Sequence, residues 1–112
     1  MDDATRLINL QAAAAEVEQI AFSITPENFY HTKWCAAHVG AWDKLQQIIG
    51  KASRLDDIGQ LRQKLEEARG ATFGPDYPRP APHCKIHAPL WAPIAAICAD
   101  ALRSDDESAA SN

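Results

Sequence analysis

Four histidines and three cysteines are the residues of this chain best suited to metal or thiolate chemistry, and six of the seven fall into two short windows. The first holds His31, Cys35 and His38, spaced i, i+4 and i+7, which on a helix places all three on one face across two turns. The second holds His83, Cys84 and His87. A C-x2-H spacing occurs in both, as Cys35-Ala-Ala-His38 and Cys84-Lys-Ile-His87. Imidazole nitrogen and thiolate sulfur are ligands zinc prefers, and a structural zinc site takes four in a tetrahedron. His31, Cys35 and His38 would supply three ligands and Cys84 or His87 the fourth. Zinc is thus the cofactor these residues suggest, the alternative being none. In that alternative the face simply points inward: it runs on into Trp42, Leu45 and Ile49, and free cysteine is among the most buried residue types.

The same residues admit a weaker catalytic reading. Cys35 and His38 are placed for a thiolate-imidazole pair, and a zinc with an open position would activate water near Glu27, giving a thiol- or metal-dependent hydrolase. The chain has no H-E-x-x-H, no G-x-S-x-G and no glycine-rich phosphate loop, so the expectation is a protein that is not an enzyme. Aromatic residues point elsewhere. Tyr30 and Trp34 lie off the His/Cys stripe, and Phe73, Tyr77 and Arg79 sit in a proline-rich stretch. Trp, Tyr and Arg dominate the energetics of protein interfaces, so these five are candidate partner-binding residues. Burial of Tyr30 and Trp34 under a neighbouring element is the competing account.

The elements that must position these residues are helical. Only two valines occur and no stretch alternates apolar with polar residues over a strand's length. Leu7, Leu10, Ala14, Val17, Ala21 and Ile24 mark one stripe of a first helix over about 4–23. Thr25-Pro26-Glu27 is a helix start, predicting a second helix over 26–49 that stops at Gly50. Ser53 with Asp56 three residues on reads as a capping box for a third helix over 54–69, with Leu55, Ile58, Leu61, Leu65 and Ala68 inward and Arg62 paired to Glu66. Four prolines between Pro75 and Pro82 exclude helix, leaving a long loop over 70–88 before a fourth helix over 89–103. Residues 104–112, with Asp105, Asp106 and Glu107, read as a solvated, disordered acidic tail. The fold expected is an all-α, four-helix bundle-like single domain.

Composition sets the remaining bounds. The chain has 112 residues, enough for one core. Its 46% hydrophobic content is largely alanine, with 21 Ala against 22 Leu, Ile, Val and Phe together. A core so thin calls for a further prop, such as a metal, a partner chain or a bound target. Eleven basic residues against 15 acidic ones give a net charge of −4, with no global footprint for nucleic acid. No stretch suits a membrane span, and three cysteines are too few and odd in number for a disulfide framework. These features predict a small cytoplasmic binding or regulatory protein that docks on a larger protein partner, as an inhibitor or adaptor, with a homodimer as a second mode of association.

Overall fold

The computed structural model describes residues 2–23, 43–71 and 88–111, with side chains over 2–23, 43–71 and 92–110. Each regular element among the described residues is helical. Helix α1 is Asp3–Ala21, α2 covers residues 43–49, a 3-10 turn follows at Ala52–Arg54, α3 is Ile58–Ala71 and α4 is Ala88–Ser111. Helix α1 packs against α3, α4 and the 3-10 turn, and α3 packs against α4, giving the expected all-α, bundle-like domain.

Local chemistry explains the boundaries. Asp2 caps α1, its carboxylate accepting the Thr5 amide at 2.8 Å. The helix ends at Ala21, two residues before the predicted stop, with the Phe22 and Ser23 amides turning back to the Glu18 and Ile20 carbonyls. Helix α2 ends at Ile49 as predicted. At Gly50 a Cβ would lie 3.0 Å from the Gln46 carbonyl oxygen and 3.7 Å from the Phe22 ring, so glycine lets the ring close over the helix end. Lys51 then takes a left-handed conformation, φ 64°, which reverses the chain.

The predicted start of the third helix at Ser53 is corrected. Ser53 donates its hydroxyl to a Glu18 carboxylate oxygen on α1 at 3.3 Å, so it ties the 3-10 turn to the first helix and does not cap the third. Asp57 takes the capping place: its carboxylate accepts the Gln60 amide at 2.9 Å and its carbonyl the Leu61 amide at 3.0 Å. The predicted solvated tail is corrected as well. Helix α4 passes through Pro93, which has no N–H to donate one turn back, and continues to Ser111. What holds 104–111 in a helix is a burial pattern that does not stop at Leu102.

The core forms where the stripes meet. Leu10 and Val17 of α1, Leu45 and Ile49 of α2, Leu61 and Leu65 of α3, and Ile94 and Cys98 of α4 are fully buried. Between them lie Ala13, Ala14, Ala21, Ala52, Ala68 and Ala71. Small side chains at these positions let helix axes approach closely, which is how so few large residues close a core. Two side-chain amides bridge the elements: Gln11 donates to the Leu55 carbonyl and Gln46 to the Ala21 carbonyl, each at 2.8 Å. The predicted loop over 70–88 is corrected at both ends, because Gly70 and Ala71 continue α3 and Ala88 opens α4; its remainder, 72–87, and the predicted helical stretch 26–42 lie outside the described residues.

Candidate functional site

Two arginines and two aspartates from three helices meet at one place. Along α4, Ile94, Cys98 and Leu102 point inward, and the next inward position is Asp105, whose side chain is only 3% exposed. A buried carboxylate needs partners, and two arginines supply them. Arg6 of α1 grips it with both arms, Nε to Oδ1 at 2.8 Å and Nη2 to Oδ2 at 3.0 Å. Arg62 of α3 donates Nη1 to Oδ2 at 2.7 Å, and its other nitrogen meets Asp106 at 2.8 Å. The expected Arg62–Glu66 pair gives way to this arrangement, since Asp105 offers Arg62 a less hydrated carboxylate than one on its own helix surface. One side chain therefore clamps α1, α3 and α4 together. The Arg6 hydrogen bond, reinforced by Arg62 and opposed by burial, holds the Asp105 carboxyl below its ordinary value. Both guanidinium groups are in turn held more firmly protonated, chiefly by their hydrogen bonds to Asp105.

Beside the clamp, a groove of about 510 Å³ runs along the α1/α4 seam. Leu10, Ala13, Ile97 and Ala101 make an apolar floor. Asn9, Ser104 and Ser108 add polar groups, and Arg6, Glu16, Asp100 and Asp105 carry the charge. Its α4 side extends from Ile97 to Ser108, roughly three helical turns or 16 Å. Arg6 and Asp105 satisfy each other at one end. Asp100 meets Arg103 at 3.0 Å with both side chains about two-thirds exposed, an ion pair that water and salt readily exchange. The helices that build the groove are the acidic part of the molecule. Helix α1 with its cap carries Asp2, Asp3, Glu16 and Glu18 against Arg6, and α4 carries Asp100, Asp105, Asp106 and Glu107 against Arg103, a net −3 on each. The rest of the chain is net positive.

All of the site residues expected from the sequence, namely His31, Cys35, His38, Cys84 and His87 for zinc and Tyr30, Trp34, Phe73, Tyr77 and Arg79 for a partner, lie outside the described residues. Among the described residues no group of three or more His, Cys, Asp or Glu is placed to hold a metal ion. Cys98 is buried between helices, and burial pushes its thiol up to about 11, so it packs as a small apolar side chain. The clamp is what the sequence reading missed. Its signal was present: Asp105 continues the 94, 98, 102 spacing by three, and Arg6 precedes Leu10 by four on the buried stripe of α1.

No helix among the described residues is long and apolar enough to cross a membrane. Comparison with known proteins finds no family model, no curated protein and no solved structure that matches the chain.

Proposed function

We propose that this chain is a small, non-enzymatic cytoplasmic binding protein that docks on a larger protein partner, as an inhibitor or an adaptor. The observation that carries this reading is the α1/α4 groove, an apolar floor with a charged rim, set between two helices that the Asp105 clamp fixes to each other. A groove already held in shape gives up little conformational freedom on binding, so more of the contact energy appears as affinity. Its acidic helices repel phosphate backbones, which favours a protein over a nucleic acid as the occupant.

The experiment is affinity capture from the native host with the full chain, beside an Ala12→Trp variant. Ala12 is exposed on the groove wall, so the indole fills the groove without entering the core. A single protein captured in stoichiometric amount by the parent chain and lost by the variant supports the reading. Capture of no stoichiometric partner counts against it. The duplicated C-x2-H spacing supports a second reading, a zinc-stabilised helical module using His31, Cys35, His38 and Cys84 or His87.

A further inference from the structure

We infer that the α1/α4 groove receives a basic amphipathic helix of about three turns from the partner protein. The inference rests on the docking reading and names the chemistry of what docks. Length, floor and charge each limit the occupant. The groove is about 16 Å long on its α4 side, which matches three turns of helix and not a full-length bundle helix. Its floor of Leu10, Ala13, Ile97 and Ala101 is apolar and low, so a second helix can settle close against it with its own apolar residues at i, i+3 and i+4.

Charge decides between an acidic and a basic occupant. Of the groove's charged residues, Arg6 is consumed by Asp105 and Asp3, at 2.8 Å and 3.4 Å. Glu16 stands exposed on the α1 wall, and Asp100 on the α4 wall pairs with an exposed arginine. Lysine or arginine side chains flanking the apolar stripe of an incoming helix reach these two carboxylates from opposite edges. An acidic helix would face both at close range, and like charges there suppress the wrong partner. The surrounding net −3 on each helix steers a cationic segment toward this seam from a distance.

The test uses the full chain and two labelled 14-residue amphipathic peptides of the same leucine pattern, one with lysine and one with glutamate at its polar positions. Fluorescence anisotropy is expected to show saturable one-to-one binding of the lysine peptide, weakened by salt, and none of the glutamate peptide. The double variant Glu16→Lys/Asp100→Lys should weaken lysine-peptide binding at least about five-fold. The same reversal at Glu66 and Glu67, exposed on α3 away from the groove, should change it less than about two-fold. All four positions are exposed, and unchanged circular dichroism confirms that both variants fold. Equal losses from the two reversals, or equal binding of both peptides, overturn the inference. So does light scattering that shows the chain pairing with itself through Glu16 and Asp100. If a host partner is captured but does not respond to Glu16→Lys/Asp100→Lys, the groove inference fails while the docking reading stands.

Discussion

Replacing Asp105 with alanine removes the anion that holds three helices together. Its side chain is 3% exposed and accepts three charged hydrogen bonds of 2.7 to 3.0 Å from Arg6 and Arg62. Breaking a buried ion pair from one side costs about 3–5 kcal/mol because the remaining charges stay in a poorly hydrated place. Arg62 keeps Asp106 at 2.8 Å and is a quarter exposed, so it can turn toward water. The low end, about 3 kcal/mol, is therefore expected for Asp105→Ala. At about 4–8 °C per kcal/mol for a domain of this size, the melting temperature falls by roughly 12–24 °C. Asp105→Asn keeps the shape and an acceptor oxygen while losing the charge, and should fall between the two. Removal of residues 104–112 should cost at least as much as Asp105→Ala, whereas loss of a solvated tail would cost nothing. Thermal and urea unfolding followed by far-ultraviolet circular dichroism measure all three. A melting temperature for Asp105→Ala within about 2 °C of the parent, or a neutral truncation, would refute the clamp.

Acid should act through the same group. Because the folded Asp105 carboxyl lies below its ordinary value of 3.8, the unfolded chain binds the extra proton, and stability rises with pH. Its contribution is present in full above about pH 5 and is lost as pH falls through 3.8 and below, so Asp105→Asn should flatten the acid limb of a stability-against-pH curve. Cys98, with its thiol pushed to about 11, should resist iodoacetamide at neutral pH in the folded chain and react on unfolding, as mass mapping of its peptide will show. Rapid folded-state labelling would contradict its burial. The zinc reading predicts about one zinc per chain after purification without added metal, and a lower melting temperature after chelation. Metal-free protein with an unchanged melting curve would exclude it.

Much of this fold is legible in the sequence because burial follows helical periodicity. The stripe through Leu10, Ala14, Val17 and Ala21 is buried as its spacing requires, and so are Leu61, Leu65 and Ala68 and then Ile94, Cys98 and Leu102. Boundaries were less legible where a polar side chain had two suitors. Ser53 has the right spacing to cap, yet a carboxylate from α1 claims its hydroxyl, and that contact joins residues 35 positions apart. Asp105 misleads in the same way. Beside Asp106 and Glu107 it reads as one of a run of solvated acids, and only its place on the inward spacing, with Arg6 and Arg62 brought to it by folding, marks it as buried. The groove could not be read from local sequence at all. It is made by Ala12 and Ala13 of one helix against Ala101 of another, and alanine's small size signals equally a close contact or an open gap.

On the proposed reading, a protein partner docks in the acidic α1/α4 groove. Quantitative affinity capture from the native host, run in parallel with the parent chain and Glu16→Lys/Asp100→Lys, tests it most directly. One stoichiometric protein should be retained by the parent and depleted at least about five-fold by the double reversal. Equal retention on both, or no stoichiometric protein on either, would contradict it.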